Sequence, residues 1–181
     1  MEQDRETLCQ VCLLLYQRGY VVSNDGNVSV RIGEDQVLIT PSGVSKGRLT
    51  PDMLVVCDLE GRVLAGRLHP SSESAMHLLV YRERPDVGAV VHAHPPAATA
   101  FSICRRPLAQ HYLTETISGL GEVPVAPFAL PSTSQVPDSL RPYVAGCNGA
   151  LLANHGAIAW GRDLWHAFDR MEQVAQTAQI F

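Results

Sequence analysis

Apolar residues in this chain come in short runs, such as Val11 to Leu15, and proline and glycine turns break them apart. No run is long enough to cross a membrane as a helix. Such a chain buries its apolar surface by bringing many short segments together around one core, as strands with helices laid over them. A length of 181 residues, with 46% hydrophobic and 18% charged residues, fits a single domain over 1–181 that needs no disulfide staple. The same figures exclude a disordered chain, a collagen and a coiled coil. Lys and Arg number 14 against 18 Asp and Glu, and no basic stripe stands out, so nucleic acid is not an expected partner. Met1 to Glu6 is polar and lacks the apolar stretch of a signal peptide. With an odd count of 5 cysteines, the thiols are expected to be reduced and the chain cytoplasmic.

Periodicity places the elements. Leu8, Val11, Cys12 and Leu15 fall at helical spacing within Asp4 to Tyr20. Val28, Val30 and Ile32 alternate as a half-buried strand, and Val37 to Thr40, Leu54 to Cys57 and Arg62 to Ala65 read as further strands. Ser71 and Ser72 are candidate caps for a helix reaching Glu83, before Pro85. Gly88 to His92 is a β-branched run of buried-strand type, and Pro95-Pro96 opens a helix through Ile103. Val123 to Ala126 and Gly149 to Ala153 read as strands. Asp163 caps a last helix whose Leu164, Ala167, Phe168, Met171, Val174 and Ala178 share a face. Strands and helices alternate only loosely, so the expected fold is α/β with a central, mostly antiparallel sheet flanked by helices on both faces.

Three segments carry chemistry. His92-Ala93-His94 ends an apolar strand, and residues two apart on a strand point the same way, so two imidazoles are aimed at one point. That suits chelation of zinc, although His-x-His alone also fits two hydrogen-bonded core histidines or a surface pair. Ala150 to Ala153 leads into Asn154-His155-Gly156, so a second strand delivers a histidine at its end. Gly156 leaves room there for close backbone approach. Pro70-Ser71-Ser72-Glu73 places two hydroxyls and a carboxylate at a helix start, where free N–H groups favour phosphate; plain capping is the simpler reading of that segment by itself. Asn27 and Ser42-Gly43 lie in or beside turns and offer further donors, or turn chemistry alone.

Taken together, Gly26 to Arg31, Thr40 to Gly43, Pro70 to Glu73, Val90 to His94, His111-Tyr112 and Asn154 to Gly156 resemble the class II aldolase/adducin family, especially its sugar-phosphate aldolases. The segments follow the family's order over nearly the whole chain. The resemblance implies a Zn2+ or other divalent site held by His92, His94 and His155, with Glu73 completing it and then serving as base. It implies a phosphate cradle of Asn27, Ser42, Gly43, Ser71 and Ser72. Tyr112 would protonate the aldehyde oxygen at a subunit boundary of a homotetramer. The implied reaction is cleavage of a phosphorylated ketose of the L-fuculose 1-phosphate type to dihydroxyacetone phosphate and an aldehyde, through a metal-stabilised enediolate. Decarboxylases, dehydratases and 4-epimerases of the family act on related phosphorylated sugars or sugar acids. The epimerases carry Asp where this chain has Glu73, which favours carbon–carbon cleavage. A non-catalytic adducin-type module would lack the metal ligands that are present here. The family's aldolases also carry a C-terminal segment that closes over the site, whereas this sequence stops at Phe181, so the expectation is that the tail is missing or another element covers the site.

The remaining candidates are weaker. His77 lies one turn after Glu73 and reads as a packing or supporting residue rather than a ligand. His69 and His166 read as surface or structural. Cys9 and Cys12 imitate a redox motif but fall on a helix and read as core. Lys46 and Arg48 read as solvated loop charges, though either could lie near the phosphate.

Overall fold

A computed structural model describes residues 1–108, 113–114 and 116–181. Among these residues a mixed sheet of eight strands runs through the molecule in the order β4-β3-β2-β1-β5-β8-β7-β6. The strands are β1 (Asn27–Arg31), β2 (Gln36–Ile39), β3 (Val55–Asp58), β4 (Val63–Ala65), β5 (Ala89–Ala93), β6 (Val125–Ala126), β7 (Gly149–Leu152) and β8 (Gly156–Gly161). All neighbours pair antiparallel except β6 with β7. Helices α1 (Glu2–Gln17), α3 (Pro96–Ile103) and α5 (Leu164–Ile180) cover one face, over Val28, Val91 and Ala157. Helices α2 (Ser74–Glu83) and α4 (Gln135–Val144) cover the other, over Val90, Ile158 and Trp160. The expected sheet with helices on both faces is therefore the one observed.

Three local expectations are corrected. β1 is buried on both faces rather than one, because α2 packs over Ser29 while α1 packs over Val28. Residue 29 carries a polar atom into that second layer, so the alternation of residues 28 to 32 mimics a solvent-facing strand. Neither Ser71 nor Ser72 caps α2: the helix starts at Ser74, with Glu73 in the cap position and no side-chain cap bond. The two serines instead form the turn before it, where the Glu73 N–H donates to Ser71 Oγ at 3.3 Å. The expected strand over Val123 to Ala126 is reduced to β6, with Val123 held only by an isolated bridge to Leu108. α5 forms as expected, its Asp163 carboxylate accepting the His166 N–H at 2.8 Å, and its apolar stripe is buried. No helix among the described residues is long and apolar enough to cross a membrane.

Candidate active site

The site lies at the end of the two central strands β1 and β5. Their antiparallel register sets Asn27 opposite His92, so both side chains leave the same face of the sheet. His94 follows two residues later, just past the end of β5. His155 comes from the tight turn joining β7 to β8, in which Asn154 adopts a left-handed φ of 61°. Gly156 is required at this turn: a Cβ there would lie 2.5 Å from His94 Cδ2 and 2.6 Å from the Ala93 carbonyl oxygen. The close approach read from the sequence is thus real, and it is His94 that makes it.

The three imidazoles converge. Ring centroids are 4.8 Å apart for His92–His94, 4.7 Å for His92–His155 and 5.0 Å for His94–His155. One nitrogen from each lies within 4.8 Å of the others. His92 Nδ1–H donates to the Ala157 carbonyl at 2.9 Å, which turns Nε2 toward the cluster. Burial, followed by the charge of His92, pushes His94 down to about 3, and the same causes lower His155. At neutral pH those two rings therefore keep the lone pairs a metal requires.

Glu73 closes the cluster from the start of α2. Its Oε2 is 3.4 Å from His92 Nε2 and its Oε1 is 3.3 Å from His155 Nε2. Desolvation would lift the Glu73 carboxyl toward the range of a general base. The His92 hydrogen bond, the charges of His92 and His155 and the Asn27 hydrogen bond outweigh it and hold the group well below the usual carboxylate range. Glu73 Oε1 is buried without a hydrogen-bond partner among the described residues. An orphan anionic oxygen beside converging imidazole nitrogens is an arrangement that a divalent cation satisfies. The residues present therefore fit a metal.

A cavity of about 240 Å3 opens beside this cluster and is lined by Glu73, His94 and His155. All five residues expected to cradle phosphate line it too: Asn27, Ser42, Gly43, Ser71 and Ser72. Two further wall residues stand out, Ser132, which sequence reading missed, and Lys46, which it allowed near the phosphate. Ser132, in a left-handed backbone conformation, donates from its hydroxyl to Ser72 Oγ at 3.0 Å. Lys46 is not a solvated charge: it is 2% exposed, and its ammonium donates to the Asn24 and Val44 carbonyls at 2.7 and 3.0 Å. The usable signal was its rarity, since Lys46 is the one lysine among 14 basic residues. Arg48, in contrast, is exposed. His69 is also exposed, and His166 belongs to the α5 start. Burial raises Cys9 to about 11 and Cys12 further still, so the pair packs α1 rather than reacting. Tyr112, with His111, lies outside the described residues.

An eight-stranded sheet carries a three-histidine cluster and a glutamate beside a hydroxyl-lined cavity. The chain belongs to the class II aldolase and adducin N-terminal domain family, whose profile matches residues 6–181. It is 35% identical to the 3-oxo-tetronate 4-phosphate decarboxylase of Haemophilus influenzae, over 98% of this chain and 86% of that protein. It is 34% identical to the L-fuculose phosphate aldolase of Methanococcus maripaludis, over 98% and 95% of the two chains. A solved L-fuculose 1-phosphate aldolase superposes with a TM-score of 0.93 at 32% identity, covering 99% of this chain and 85% of that one.

Metal analysis of the purified protein should find about one divalent ion per chain. His94→Ala should lose it on dialysis, as should the corresponding changes at His92 and His155. Undiminished metal content in His94→Ala would remove that residue from the ligand set.

Proposed function

We propose that the chain is a metal-dependent lyase that cleaves a phosphorylated ketose of the L-fuculose 1-phosphate type to dihydroxyacetone phosphate and an aldehyde. The observation that carries this reading is a single cavity lined by Glu73, by two of the three clustered imidazoles and by the Ser/Gly cradle. His92, His94, His155 and Glu73 would hold Zn2+ or a similar ion. When bound, such an ion supplies Lewis acidity to the substrate oxygens. The phosphate is held by Asn27, Ser42, Gly43, Ser71 and Ser72, with Lys46 as the buried cation of the wall. Glu73, anchored through Oε2 by the Asn27 amide at 2.9 Å, carries a proton between carbon and oxygen with Oε1. Tyr112 protonates the departing aldehyde oxygen at a subunit boundary, within a homotetramer. The five free cysteines support a cytoplasmic setting.

The Haemophilus relative supports a second reading, decarboxylation of a phosphorylated 3-oxo sugar acid. The two readings share half their chemistry. Loss of the carboxylate from a 3-oxo-tetronate 4-phosphate leaves the same three-carbon enediolate that retro-aldol cleavage leaves, and protonation at carbon gives dihydroxyacetone phosphate in both. They differ in the fragment that departs, aldehyde or carbon dioxide.

The metal-loaded protein should exchange one C–H of dihydroxyacetone phosphate with solvent deuterium, with no second substrate present. In Glu73→Gln that exchange should slow by about 10²–10⁴-fold. Equal rates in the two proteins would dismiss Glu73 as the proton carrier. Assaying the coproduct then separates the readings: an aldehyde from phosphorylated ketoses supports the aldolase, and carbon dioxide from a 3-oxo-tetronate phosphate supports the decarboxylase.

Lys46→Met should raise KM for the phosphorylated substrate by roughly 10–100-fold, the range expected for one charge-assisted hydrogen bond. The ligand-free variant should melt no lower than the wild type, because a buried ammonium with no carboxylate partner among the described residues stabilises little. Steady-state kinetics and a thermal melt check both.

Light scattering should give the mass of a tetramer, and a fully active monomer would contradict the placement of Tyr112 at a shared boundary.

A further inference from the structure

Glu73 is the last member of a buried chain of hydrogen bonds that begins at Tyr81, whose first partner lies 52 residues away in sequence. Tyr81 Oη lies 2.8 Å from Ser29 Oγ, Ser29 Oγ lies 2.7 Å from His77 Nδ1, and His77 Nε2 lies 2.6 Å from Asn27 Oδ1. Asn27 Nδ2 then donates to Glu73 Oε2 at 2.9 Å. Tyr81, Ser29, His77 and Asn27 are 1%, 0%, 0% and 3% exposed, so water does not compete along the path. Arg31 secures the far end, its guanidinium 5.0 Å from the Tyr81 ring centroid and its Nη2 donating to the Tyr81 carbonyl at 2.7 Å.

The polarity of this chain has one solution. An ionised carboxylate only accepts, so the Asn27 amide turns its nitrogen to Glu73 and its oxygen to His77. His77 Nε2 must then carry the hydrogen. Burial keeps the ring neutral, pushing it down to about 3, so Nδ1 is bare. Nδ1 accepts the Ser29 hydroxyl, and Ser29 Oγ in turn accepts from Tyr81. Every hydrogen points toward Glu73.

We propose that Tyr81, Ser29 and His77 are positioning residues that fix the His77 tautomer, lock the Asn27 amide with its N–H on Glu73, and so hold that carboxylate against His92 and His155 with Oε1 free. The catalytic consequence rests on Glu73 as the proton carrier, whereas the tautomer does not. A histidine that merely filled the core between α2 and the sheet would need no defined tautomer and would be replaced adequately by any side chain of its volume.

The first measurement is nitrogen NMR of the metal-free wild type labelled with 15N-histidine. His77 should show a protonated Nε2 and a bare Nδ1, and a protonated Nδ1 would overturn the proposal in a protein whose folding is not in question. The second compares His77→Gln with His77→Met. The glutamine amide can still donate to Asn27 and accept from Ser29, so His77→Gln should keep most of the deuterium exchange and of kcat. His77→Met removes the donor and should lower kcat by about 10–100-fold, the usual range for loss of an orienting partner. His77→Gln should also keep KM, because the Asn27 amide of the phosphate cradle stays oriented. Equal kcat in the two variants would also overturn the proposal. A wild type that exchanges no deuterium while showing the expected tautomer would refute the proton-carrier role of Glu73 and leave the hydrogen-bond polarity standing.

Discussion

The pairing of Asn27 with His92 across β1 and β5 is the constraint on which the site depends. Strand side chains alternate faces, so a slip of one residue in that register would turn Asn27 away from Glu73 and from the metal cluster together. The register is secured from both faces. Val28 and Val91 lie in the layer beneath α1 and α5, while Ser29 and Val90 lie under α2. Because β1 and β5 are the central pair, with β2 and β8 outside them, neither strand has a free edge along which to shift. A buried core on two faces thus sets the position of a polar site at the end of the sheet.

The electrostatics follow from that placement. His94 and His155 are pressed toward neutrality by burial and by His92, while Glu73 keeps its charge because imidazoles and an amide face it. The result is one carboxylate among metal-binding lone pairs, beside a wall that carries one buried ammonium. A ligand with an anionic group at one end and oxygens able to meet a metal at the other complements both features. A phosphorylated hydroxyketone has that form.

The parts of this arrangement legible in the sequence were those written in local spacing. His92 and His94 declare themselves by a period of two, and α5 by a period of 3.6 that its buried stripe matches. β8 gave no such signal. Gly156-Ala-Ile-Ala-Trp-Gly161 is buried on both faces and bounded by glycines, so it has neither alternation nor polar ends. α4 was hidden by Pro137 and Pro142, which read as loop punctuation although the helix runs through both. For Lys46 a place near the site is legible in the sequence but its burial is not, because charge in a loop is usually solvated. The Tyr81–Ser29–His77–Asn27 chain was invisible for a different reason: its links join residues about fifty positions apart, and only the stacking of α2 on β1 brings them together. Family resemblance supplied the roles of Glu73 and the cradle, which spacing alone left open between catalysis and capping.

The departures from an optimised fold are gathered around one cavity. Four non-glycine residues among those described adopt left-handed φ: Ser23, Arg105, Ser132 and Asn154. Ser132 lines the cavity, Ser23 bonds to the wall residue Asn24 at 3.1 Å, and Arg105 holds Asn154, whose neighbour is His155. Such backbone conformations cost of order 1–3 kcal/mol each and persist where the surroundings over-determine them. The orphan oxygen of Glu73 and the ammonium of Lys46, the first without a hydrogen-bond donor and the second without a carboxylate partner among the described residues, add to the cost at the same place. A sequence free to optimise stability alone would disperse or remove these features. Their concentration around the cavity is accounted for if its occupants provide what the free protein lacks, a cation for Glu73 and an anion for Lys46.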